Sequence, residues 1–232
     1  MNYNPLISVA IPTYEAKGFG VSFLEKNFDI LKKQTFQNFE IVISDNSKNN
    51  EIENLVNKYS QSFKIKYIKN NDIGMSKNTN CAIRNSNGQY IKILYQDDFL
   101  YSKNSLADIA NETVNNFDWL VTACEHSNDG ETFYRSFYPR YHDEIHLGNN
   151  TISSPSVLTI KNSENKLYFD ENITWLMDVD YYKSCYKKFG NPKILNTINV
   201  VNRTTIFQTS SSITEAQIQN EIKYTYLKHK HE

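Results

Sequence analysis

Apolar residues follow two rhythms along this chain. In its first hundred residues, short apolar runs of strand length (6–11, 39–44, 65–68 and 90–95) alternate with stretches whose apolar positions recur every three or four residues (23–34, 51–59 and 76–84). Pro12 closes the first run, and Asn87-Gly88 follows the third helical stretch, a familiar stop signal. Strands separated by helices of this length predict βαβ units, a mostly parallel central sheet and right-handed crossovers. Beyond residue 100 the rhythm loosens. Helices are expected over 105–117, 173–189 and 215–228, and strands over 119–124, 157–160 and 194–201. Residues 131–145 read as aromatic and irregular, fit for hairpins or a loop facing a ligand. The expectation is an α/β fold in one continuous domain, with 1–100 as one half and 101–232 as the other.

In such sheets ligands bind outside the carboxyl ends of the strands. Three segments lie there: Pro12-Thr13-Tyr14, Asp45-Asn46-Ser47 and Asp97-Asp98. Paired acids at a strand end offer oxygen ligands to hard cations such as Mg²⁺ or Mn²⁺, usually in company with substrate phosphates. Asp45 has a blander reading, as a helix cap or an Asx turn with Ser47.

Composition narrows the partners. The 232 residues carry a net charge of −1, so no general attraction to nucleic acid or anionic lipid is expected. At 39% hydrophobic residues the chain can build a core, which argues against disorder. Cys81, Cys124 and Cys185 form no CxxC pair, which favours a reducing compartment over a disulfide scaffold. No run approaches a membrane span and the start lacks the pattern of a signal peptide, so a cytoplasmic protein is expected.

The motifs as a set resemble the family 2 glycosyltransferases of the GT-A (Rossmann-like) fold. The likeness runs through Ser8 to Tyr14, Gln34 to Ser47, Gly74 to Asn80 and Gly88 to Asp98, and more thinly through Phe169 to Tyr181. It implies inverting transfer of a sugar from a nucleotide diphosphate sugar, commonly a UDP-sugar, to a hydroxyl of a glycan or lipid-linked acceptor. By position, Pro12, Thr13 and Tyr14 would cradle the nucleoside and Asp45 would bind the base. Asn80, Lys92 and Asp97 would serve the donor, Asp98 would hold Mn²⁺ or Mg²⁺, and Asp178 would be the general base. The chain departs from the family pattern at Met177, often Glu, and at Thr79, often basic. It also lacks a clear match to a C-terminal His, with Arg203 in that region.

A non-catalytic nucleotide-sugar binding module and a nucleotidyltransferase are the competing readings. Ile11 to Glu15 lacks the Gly-rich, basic loop that grips a triphosphate, which counts against the second. Asp178 and Asp180 lie about 200° apart on a helix, so one of them faces the cleft. Lys77 and Lys92 are candidate diphosphate contacts, although Lys92 alternates with apolar neighbours and could snorkel. Trp175 reads as a buried aromatic rather than a sugar platform. His126, His142 and His146 lack ligand spacing and read as surface residues. The basic tail from Lys228 to His231 reads as a frayed terminus, and peripheral membrane association through partners or lipid acceptors is compatible with the sequence.

Overall fold

The computed structural model describes residues 4–204 and 213–230. Among them, nine strands form a single sheet in the order β3-β2-β1-β4-β8-β6-β9-β5, with β7 paired to β6. The first four strands are β1 (Ile7–Thr13), β2 (Phe39–Asp45), β3 (Ile65–Lys69) and β4 (Tyr90–Ile93). They are joined by α1 (Gly20–Lys32), α2 (Glu51–Tyr59) and α3 (Met75–Arg84). Helices cover both faces of this part of the sheet, so β1, β2 and β4 are buried along their whole lengths. That explains why they read as continuous apolar runs rather than alternating ones. β1 pairs in parallel with β2 on one side and β4 on the other, which brings Thr13 level with Asp45.

The second half completes the same sheet. β6 (Trp119–Ser127), β8 (Leu158–Lys161) and β9 (Lys193–Arg203) extend it beyond β4, with β5 (Phe99–Leu100) at the edge. β8 runs antiparallel to both β4 and β6, while β9 runs parallel to β6. β6 and β9 therefore point the same way as β1, β2 and β4, and their ends, Ser127 and Arg203, emerge at the same edge as Asp45. The irregular 131–145 stretch contains β7 (Arg135–Phe137), which folds back on β6 as a hairpin. α4 (Ser105–Glu112), α5 (Met177–Phe189) and α6 (Glu215–Lys230) complete the fold. No described helix is long and apolar enough to cross a membrane.

Several expected boundaries move. The apolar run 90–95 stops as a strand at Ile93, because the Tyr95 N–H leaves the ladder for the Ser156 hydroxyl at 2.9 Å. The helix expected over 105–117 ends at Glu112 and gives way to a tight turn closed by Asn116 at φ 49°. The helix expected from 173 starts at Met177. The tail is no frayed end through residue 230: Lys228 and His229 lie in α6 and engage Asp180, while His231 falls outside the described residues.

Candidate active site

The carboxyl ends of β1, β2 and β4 are stitched together by side-chain amides. Asn78 of α3 donates to the Thr13 carbonyl at 2.9 Å and accepts the Ser44 hydroxyl at 2.6 Å, fixing the spacing of β1 and β2. Gln96 grips Tyr14 both ways, accepting its N–H at 2.9 Å and donating to its carbonyl at 3.1 Å. Asn27 of α1 donates to the carbonyls of Gln96 and Asp98, both at 2.9 Å, which shapes the loop after β4. Gly20 lets α1 start against the Tyr14 loop, since a Cβ there would stand 2.2 Å from the Tyr14 carbonyl oxygen. Tyr14 itself is 45% exposed, and its hydroxyl pKa is raised by burial and by the charge of Asp97.

Asp45 is fully enclosed. Oδ1 accepts the Ser47 N–H at 2.8 Å, and Oδ2 accepts the Tyr67 hydroxyl at 2.8 Å and the Lys69 ammonium at 3.3 Å. The Asx turn with Ser47 is thus present, yet it occupies only one oxygen. Lys69, a third exposed, also donates to the Asn49 carbonyl at 2.7 Å.

Asp97 and Asp98 share a desolvated site. Burial raises the pKa of both, and the Asp97 charge raises Asp98 further. Asp98 is 5% exposed; its Oδ1 accepts the Arg203 N–H at 2.8 Å and its Oδ2 the Ser154 hydroxyl at 3.1 Å. The Arg203 guanidinium donates to the Asp97 and Asp129 carbonyls, both at 3.1 Å, and brings positive charge beside Asp97.

Asp178, half-buried at the start of α5, accepts the Asn150 amide at 2.7 Å on Oδ2 and the Val179 N–H at 2.8 Å on Oδ1. Burial pushes its carboxyl up to about 7. Asn150 and Ser154 belong to one loop, residues 150–156, so this loop holds Asp178 near one end and Asp98 near the other. The Tyr95 hydroxyl lies against Thr79 and Met177, and burial raises its pKa, with the charges of Asp178, Asp98 and Asp97 adding to the rise. Asp180 points away, with its oxygens bonded to Lys228 at 2.8 Å and His229 at 2.9 Å. Of the two acids, Asp180 is tied to α6 and Asp178 to the loop that also bonds Asp98.

The sequence matches the family described as Glycosyl transferase family 2 over residues 8–183. The chain belongs to that family. It is 27% identical over 197 residues to an uncharacterised glycosyltransferase of Rickettsia prowazekii, covering 78% of this chain and 58% of the relative. It is 34% identical over 95 residues to the Escherichia coli UDP-Glc:alpha-D-GlcNAc-diphosphoundecaprenol beta-1,3-glucosyltransferase WfaP, covering 40% of this chain and 36% of that protein. The crystal structure of Staphylococcus aureus TarS 1-349 in complex with UDP-GlcNAc superposes with a TM-score of 0.72 at 22% identity, over 97% of this chain and 68% of that one. That likeness shows a shared GT-A fold. The chain spans 58% of the length of the Rickettsia prowazekii relative.

Two residues expected at the donor in this family 2 chain are elsewhere. Asn80 is a structural clip: it accepts the Phe169 N–H at 2.8 Å and donates to the Phe169 carbonyl at 2.8 Å and to Glu171 at 2.9 Å. Two residues earlier on α3, the chemically identical Asn78 faces the strand ends instead. Lys92 is fully enclosed beneath Asp98 with its ammonium on the Ser156 carbonyl. Burial lowers its pKa to about 7, against the pull of Asp98. It cannot touch a diphosphate from there. His126 is buried and His146 half-buried, so neither is the surface residue expected, whereas His142 is exposed. Met177 takes the position that is often Glu because its sulfur faces the Ser76 and Tyr95 hydroxyls inside the fold.

Among the described residues, no cluster of three or more His, Cys, Asp or Glu side chains could hold a metal unaided. The Asp97–Asp98 pair nevertheless fits a hard cation. Its oxygens are hard donors, and burial, which raises both pKa values, disfavours their charged forms in a way that a bound cation would offset. Such an ion would draw its other ligands from phosphate oxygens.

Proposed function

We propose that this site transfers a sugar, with inversion, from a UDP-sugar to a hydroxyl of a glycan or lipid-linked acceptor, with Mn²⁺ or Mg²⁺ as cofactor. One observation supports this reading: the 150–156 loop bonds both Asp98 and Asp178, the proposed cation ligand and the proposed base. The Tyr14 loop and Asp45 line the nucleoside side, with Asp45 reaching the base once Lys69 swings clear. Asp97 and Asp98 would hold the cation. When bound, that ion neutralises charge on the departing diphosphate, worth several kcal/mol by analogy with other Lewis-acid sites.

Asp178 would take the proton from the acceptor oxygen. A carboxyl poised near neutrality suits that task, since general bases work best when their pKa lies near the operating pH. Such catalysis supplies roughly 10²–10⁴-fold. Arg203 adds fixed positive charge on the diphosphate side, in the region where relatives use a His.

Thermal melts with UDP, GDP, CDP and TDP, with and without Mn²⁺, followed by hydrolysis assays on UDP-GlcNAc and UDP-glucose, test the reading. Mn²⁺-dependent stabilisation by UDP with slow hydrolysis is expected. Stabilisation without turnover would reduce the protein to a binding module, and no response to any diphosphate would end the proposal.

A further inference from the structure

Asp178 sits in a turn that its own segment does not hold. The N-cap residue of α5, Leu176, has no side chain that can cap the helix. The backbone N–H groups of Thr174, Trp175 and Leu176 instead converge, the concave arrangement that binds an anion. The anion is the carboxylate of Glu221, from the middle of α6. Its Oε1 accepts the Thr174 N–H at 3.0 Å, and its Oε2 accepts those of Trp175 at 2.8 Å and Leu176 at 2.9 Å.

Glu221 is itself held in place. The Thr225 hydroxyl donates to the His146 carbonyl at 2.8 Å, and Lys228 pairs with Asp170 at 2.7 Å and Asp180 at 2.8 Å. His229 also meets Asp180, at 2.9 Å. Asp180 is thereby committed to docking α6, whereas Asp178 carries no ion pair and is bonded to the Asn150 amide and the Val179 N–H. The orphan N–H groups of a helix start carry partial positive charge that favours a nearby carboxylate. Asp178 takes one of them itself, the Val179 N–H at 2.8 Å, and burial raises its carboxyl; the turn that Glu221 ties down leads directly into this residue.

We infer that Glu221 is a positioning residue for Asp178: it fixes the 174–176 turn so that the Asp178 carboxylate is held in its buried place against Asn150. This rests on Asp178 being the base. A cap that merely stabilised the docking of α6 would affect the melting temperature and leave the Asp178 carboxyl unchanged, so the test must read that group directly.

The experiment follows the aspartate carboxyl ¹³C resonances of the full chain against pH, with Asp178→Asn assigning the signal, in parent, Glu221→Gln and Glu221→Ala. Hydrolysis of UDP-GlcNAc with Mn²⁺ is measured alongside. Both Glu221 variants should lower the Asp178 midpoint by about half a unit or more, toward the ordinary carboxylate range. The same variants should lower kcat at least about tenfold, with KM within about twofold, as expected for a misplaced group near the chemistry. An unmoved midpoint in both, even with a lower melting temperature, overturns the inference. Should Glu221→Ala fail to fold, Glu221→Gln keeps the side-chain volume and one acceptor oxygen and decides the matter. If Asp178→Asn hydrolyses donor as fast as the parent, the base assignment falls, a failure separate from an unmoved midpoint.

Discussion

The Asn150 amide lies 2.7 Å from Asp178 Oδ2, and four residues later the Ser154 hydroxyl lies 3.1 Å from Asp98 Oδ2. Both carboxylates are therefore set by one loop, and disturbing it should affect both.

Asp178→Asn should leave Mn²⁺-dependent UDP binding intact and lower transfer by roughly 10²–10⁴-fold, measured as kcat. In the parent, rate should rise with pH through about 7, where the carboxyl loses its proton. Stability gives a second check with the opposite trend. The folded pKa is raised, so the stabilising protonated form is complete below the unfolded value near 4 and is lost as pH rises through about 7. The Asn variant should thus melt higher than the parent at pH 8, with the difference shrinking toward pH 4.

Asn80→Ala separates a donor contact from a structural clip. Phe169 would lose partners for both its N–H and its carbonyl, at a cost of about 1–3 kcal/mol by urea unfolding. KM for the nucleotide sugar should stay within about twofold; a large KM effect with unchanged stability would restore Asn80 to the donor site.

Lys92→Met tests the buried ammonium. Its folded pKa, about 7, lies below the unfolded value near 10.4, so the parent bears the cost of a buried charge at low pH and sheds it as pH rises. The Met variant should melt above the parent at pH 6, and the gap should close by pH 10. A gap constant across that range would mean that the amine is not desolvated.

Asp45→Asn should weaken UDP binding at least about tenfold while leaving pyrophosphate binding unchanged in calorimetry, since a site built to hydrogen-bond a base discriminates strongly when its partner changes. Equal losses for both ligands would place Asp45 outside base recognition.

Much of the architecture was legible because β1, β2 and β4, buried on both faces, announce themselves as uninterrupted apolar runs. The two-residue β5 and three-residue β7 carry no period long enough to read, and exist only because β9 and β6 offer edges. The acids were legible as types after strand ends. Which of two asparagines on α3 faces the strands was not, because their chemistry is identical and only helix rotation separates Asn78 from Asn80. Lys92 shows the same limit: alternation assigns a face, and here both faces are covered. Asn27 could have been found, as an amide among the apolar positions of α1. Glu221 could not, since its partners are backbone groups remote in sequence.

The sheet order has a practical corollary. Because β8 lies between β4 and β6, and β5 joins the sheet only through β9, the first hundred residues do not make a detachable unit. A fragment cut there would present β4 as a bare, flat, apolar border, the kind of template on which copies of a chain add to one another. Expression of that fragment should give aggregates rather than a miniature nucleotide binder, and insertion of tags or permuted termini is better placed in the exposed turns.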